Sequence, residues 1–154
     1  MNRKTLLILT ALAVLVVVAA GCTSGASRQA YNNKLSAAHR LIETGHENIA
    51  LDNLEQAERI AHVNNLDKQP ALRLKTEAYL GIGNISEARS FAQELLAENT
   101  GDPYANELMG KIMLKAGDYA KAEKYLIRAR LGFNGDRDVS RVADLVSLSR
   151  GLSS

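Results

Sequence analysis

The 154-residue chain has no tryptophan, one cysteine, two prolines and only 5% aromatic residues, and each scarcity closes a route. A lone cysteine rules out a disulfide within the chain. His39, His46 and His62 are the only histidines and lack a ligand spacing such as H-E-x-x-H, so no metal site is expected. No glycine-rich phosphate loop is found, because Gly81-Ile82-Gly83 falls where a helix has to end and a turn needs glycine. Nucleic acid is an unexpected partner for a chain without a basic run interleaved with aromatics. Nothing points to a nucleophile with its base. The sequence therefore predicts no catalytic residue, no cofactor and no small-molecule substrate.

What is present begins with a processing segment. Arg3 and Lys4 precede an apolar run from Leu6 to Ala20 that only Thr10 interrupts, and Ala19-Ala20-Gly21 lead into Cys22. The run is shorter than the roughly 20 residues that span a bilayer as a helix, so residues 1–21 read as a cleaved signal peptide. Small residues ending in Ala-Gly-Cys resemble a bacterial lipobox, with Ala19 where leucine is commoner. The resemblance implies a lipidated Cys22, and two or more acyl chains hold a protein stably at a membrane. Thr23, rather than aspartate, after the cysteine implies the outer membrane, facing the periplasm. Residues 22–30 are expected to be the lipidated cysteine and a short tether, which places the partner close to the lipid surface. Without Arg3 and Lys4 the remaining chain is near neutral, but unevenly so: residues 43–107 carry 12 acids and 5 bases, residues 111–150 carry 9 bases and 5 acids.

The stretch from Asp102 to Asp136 organises the rest. Asp102 is an N-cap and Pro103 a tolerated first helical residue, so a helix is expected from Pro103 to about Ala116. Gly117 supplies a left-handed end, Asp118 can cap the next helix, and Ala122, Leu126 and Ala129 form an inner stripe from Tyr119 to about Leu131. Gly110 and Ala122 leave room for close approach of the two helices. Moving back by 34 residues places Gly117 on Gly83, Asp118 on Asn84 and Ala122 on Ala88; a further 38 reaches Gly45, with Ala50, Leu54 and Ala57 in register. Three units follow, 31–64, 69–102 and 103–136, and the stripe Val139, Val142, Ala143 and Val146 predicts a last helix over 137–150 that caps the stack.

Helix-turn-helix units of period 34, with Met109-Gly110, Gly117, Asp118-Tyr119, Ala122, Leu126 and Ala129 on signature positions, resemble the tetratricopeptide repeat family. The fold class implied is all-α, three repeats in a short right-handed superhelix with a C-terminal capping helix. The resemblance also implies a groove lined by the first helix of each unit, here Asn32, Leu35 and His39, then Arg73 and Glu77, then Tyr104, Glu107, Lys111 and Lys115. Arg73–Glu77 and Glu107–Lys111 have the spacing of helical ion pairs. The function expected is that of a non-catalytic, lipid-anchored adaptor binding a peptide or helix of a protein partner near the membrane. Similarity to pilotins and Tad-type pilus assembly lipoproteins implies help in assembling pilus or secretion machinery. A scaffold recruiting cell-wall enzymes or proteases is the alternative.

Overall fold

The computed structural model describes residues 25–153, and every regular element among them is helical. Cys22 and the signal segment lie outside the described residues. The helices are α1 (25–43), α2 (Glu47–Asn64), α3 (Gln69–Gly81), α4 (Ile85–Glu98), α5 (Pro103–Lys115), α6 (Tyr119–Gly132) and α7 (Asp136–Ser153).

The three hairpin turns are built alike, as the repeat requires. Gly45, Gly83 and Gly117 have φ of 75°, 81° and 77°, a conformation that a Cβ would strain. After each glycine the next amide reaches back to close the helix end: His46 N–H to Leu41 O, Asn84 N–H to Tyr79 O and Asp118 N–H to Met113 O, at 2.8–2.9 Å. The second helices of units two and three are then capped by side chains, Asn84 accepting from Glu87 N–H and Asp118 from Lys121 N–H. Hydrogen bonds from the Lys121 ammonium and amide also hold the Asp118 carboxyl below its ordinary range. His46, at the matching place in the first turn, makes no side-chain cap.

Each second helix turns small residues inward at i, i+4, i+7: Ala50, Leu54 and Ala57; Ala88, Ala92 and Leu95; Ala122, Leu126 and Ala129. Full burial of a leucine such as Leu126 is worth about 2–3 kcal/mol. The third hairpin is tightly closed. A Cβ on Gly110 would come within 2.6 Å of the Leu126 side chain, so α5 and α6 meet as closely as glycine permits.

Two boundaries differ from the sequence expectation. Residues 25–30, expected as tether, are helical and continue α1. Ala26, Gln29 and Ala30 favour helix, and Tyr31, 5% exposed, pins α1 to the next connector by donating its hydroxyl to Asp67 O at 2.7 Å. The last helix also runs further, to Ser153. It packs on α6 and touches α5, the same relation that α5 has to α4 and α3. Val142 and Val146, 34 residues beyond Leu108 and Ile112, are buried like them. The capping helix is thus the first helix of a fourth unit.

Candidate functional site

Because α1, α3, α5 and α7 hold equivalent places, residues 34 apart on α3, α5 and α7 line up across one face. Arg73, Glu107 and Arg141 form such a row, Glu77, Lys111 and Leu145 another. The structure therefore gathers five of the expected groove residues, Arg73, Glu77, Tyr104, Glu107 and Lys111, and adds α7 as a further wall.

Glu107 is the centre. It is only 2% exposed, and its Oε1 accepts from Lys111 Nζ at 2.7 Å and from Arg141 Nη1 on α7. Arg141 also donates to Asp138 at 2.9 Å. Two cations on one carboxylate offset the desolvation that burying a single charge would incur. The expected Glu107–Lys111 pair is present. The expected Arg73–Glu77 pair is not: Arg73 Nη2 donates to Asp102 Oδ2 at 2.7 Å. Asp102 has been carried there as the N-cap of α5, where it also accepts from Ala105 N–H at 2.7 Å, so one carboxylate caps a helix and holds the preceding unit.

Aromatic rings extend this cluster. The Arg73 guanidinium lies 4.8 Å from the centroid of the Tyr104 ring, which meets Phe133 edge-on at 4.9 Å, and Arg141 lies 5.8 Å from Phe133. Arg73, Glu77, Tyr104, Glu107, Leu108 and Arg141 enclose a cavity of about 100 Å³. Glu77 borders it without a hydrogen bond or ion pair among the described residues. Burial pushes its carboxyl above the ordinary 4.5, against the pull of Lys111 and His39.

The remaining expected residues stand apart. Lys115 donates its ammonium to Leu80 O at 2.9 Å and so closes the C-terminal end of α3, a use that sequence could not show. Leu35 and His39 line a second, open depression of about 420 Å³ with Leu74, and His39 faces Glu43 at 3.5 Å. Asn32 is exposed on α1. On the opposite side, Glu58, Leu72, Lys75 and Phe91 border an open furrow of about 490 Å³ between α2, α3 and α4, with Lys75 paired to Glu58 at 2.8 Å.

Asp102, Phe133 and above all Arg141 were not among the groove residues expected from the sequence. The signal was available: Arg141 is one more step of 34 beyond Glu107. Among the described residues no group of His, Cys, Asp and Glu could hold a metal ion, and no helix is long and apolar enough to cross a membrane.

Residues 79–147 match the family model of the tetratricopeptide repeat. The match runs from the end of α3 through most of α7 and so includes the helix that carries Arg141. No curated protein matches the chain.

Proposed function

We propose that this chain, which contains tetratricopeptide repeat sequence over residues 79–147, is a non-catalytic adaptor that holds a protein segment against the face of its first helices. The observation that carries the reading is the arrangement on α3, α5 and α7, where charged and aromatic side chains from three units converge on one cavity. Aromatic and arginine side chains in such clusters often dominate interface energetics. In the finer reading the protein is a lipoprotein anchored through Cys22 in the outer membrane and facing the periplasm. There it assists assembly of a pilus or secretion machine. The Ala-Gly-Cys of residues 20–22 and the apolar run before it support that reading.

Photo-crosslinking tests the surface. A photoreactive residue at Tyr104 or Leu148, on the first-helix face, should capture the same protein in intact cells. One at Lys124 or Glu94, on second helices, should not. Mass spectrometry then identifies the captured protein, and a pilus or secretion component is the expected result. Capture from Lys124 and Glu94 alone would move the binding surface to the second helices.

A further inference from the structure

The cavity between α3, α5 and α7 has a preferred sign. Its cations are engaged, Arg73 by Asp102, Lys111 by Glu107, and Arg141 by Glu107 and Asp138; Arg73 Nε, a buried nitrogen without a hydrogen-bond partner, has less than 1 Å² of accessible surface and so is not open to a ligand. Its carboxylates are not all engaged, since Glu77 has no such partner. Around the cavity Arg73, Lys111 and Arg141 face Glu77, Asp102, Glu107 and Asp138, an excess of one carboxylate. An entering anion would have to displace an existing pair, whereas an entering cation finds an unpaired carboxylate at low cost. The walls suit a cation with an apolar stem. Leu108, 3% exposed, and the Tyr104 ring offer hydrocarbon contact, and an aromatic face attracts an ammonium. Size narrows the choice, for about 100 Å³ is room for roughly three water molecules, which an unbranched side chain fills and a helix does not. The compact ammonium of lysine fits such a space better than the broad planar fork of arginine.

We propose that this cavity is a subsite for one lysine-type side chain of the bound protein, its ammonium on Glu77 and its methylene stem against Leu108 and Tyr104. The subsite deepens, and rests on, the reading that the first-helix face binds a protein segment.

The probe is n-butylammonium, the isolated lysine side chain, added to the full chain in detergent micelles and followed by NMR at the Glu77 carboxyl carbon and the Leu108 methyls. The expected result is a saturable shift at both positions, not produced by butyrate or n-butanol, with affinity reduced at least tenfold in Glu77→Gln. Saturable binding of butyrate, no saturable shift with n-butylammonium, or undiminished affinity in Glu77→Gln would each overturn the proposal. Crosslinking from Leu148, outside the cavity lining, separates this from the wider reading. Partner capture that survives Glu77→Gln unchanged leaves the groove standing and removes the lysine subsite. Butylammonium binding without any capture keeps the cation site and removes the groove.

Discussion

Two residues show how position decides what a side chain does. Gly110 has no special backbone conformation, yet a Cβ there would overlap Leu126 at 2.6 Å, so Gly110→Ala must displace the buried Leu126 side chain or push α5 from α6. The expected cost is about 1–3 kcal/mol, read as a melting temperature lowered by several degrees. Gly151→Ala is the control, since a Cβ there meets nothing within 4 Å on a helix, and it should leave stability unchanged or raised by about 0.5–1 kcal/mol. Glu77 makes a pH prediction. Burial raises its native carboxyl pKa above the ordinary 4.5, so the native chain holds that proton more tightly than the unfolded one. The resulting stability is fully present below the unfolded value and is lost as pH rises through the native one. Glu77→Gln removes that loss. Thermal melts should give the variant the higher melting temperature at pH 7 and equal values near pH 4; a lower value at pH 7 would mean that attraction to Lys111 outweighs desolvation. The close approach at Gly110 was legible in the sequence, whereas the lack of an ion pair at Glu77 was not. The latter depends on what a neighbouring helix brings.

Among elements, α7 does two things at once. Val142 and Val146 cover Leu126, Ala129 and Phe133 in one core cluster, and Arg141 reaches Glu107 on α5. The apolar period of this helix was plain in the sequence, and its ending of the stack follows from the exposed face that any last hairpin leaves. Its role as a wall of the site was not plain, because a single helix seen alone presents Arg141 on its polar side. Deletion of residues 136–154 should uncover Phe133 and Leu126 and lower stability by several kcal/mol at roughly 25 cal/mol per Å² of apolar surface. Denaturant titration checks it. A deletion that melted like the full chain but no longer captured a partner would make α7 a docking element without a structural role. The first hairpin is distinct in a second way: its core of Tyr31, Leu54 and their neighbours forms a cluster of its own, closed against α3 through Ala71 and Leu74. The hydroxyl of Tyr31 on Asp67 O ties this hairpin to the connector before α3.

At the scale of the whole molecule, the proposed placement of the repeat stack at a membrane rests on Cys22. Cys22→Ser should abolish incorporation of labelled palmitate and leave the signal segment uncleaved; labelling equal to that of the unaltered chain would remove the lipoprotein reading. The sequence by itself determined the all-helical class, the turns at Gly45, Gly83 and Gly117 and the inward stripe of the second helix in the first and third units. These depend on residues close in the chain, where glycine, a capping side chain and a helical period act locally and repeat every 34 residues. Only the tertiary structure decided which charges meet. Arg73 had Glu77 within one turn and took Asp102, 29 residues away, and Lys115 took a carbonyl of α3 in place of a groove position. A helix offers i, i+4 partners worth a few tenths of a kcal/mol, and a carboxylate already oriented as an N-cap or buried among packed helices outbids them. The cavity at Glu77 has its character because the packing of α3, α5 and α7 paired Arg73, Lys111 and Arg141 with other carboxylates and left Glu77 without an ion pair.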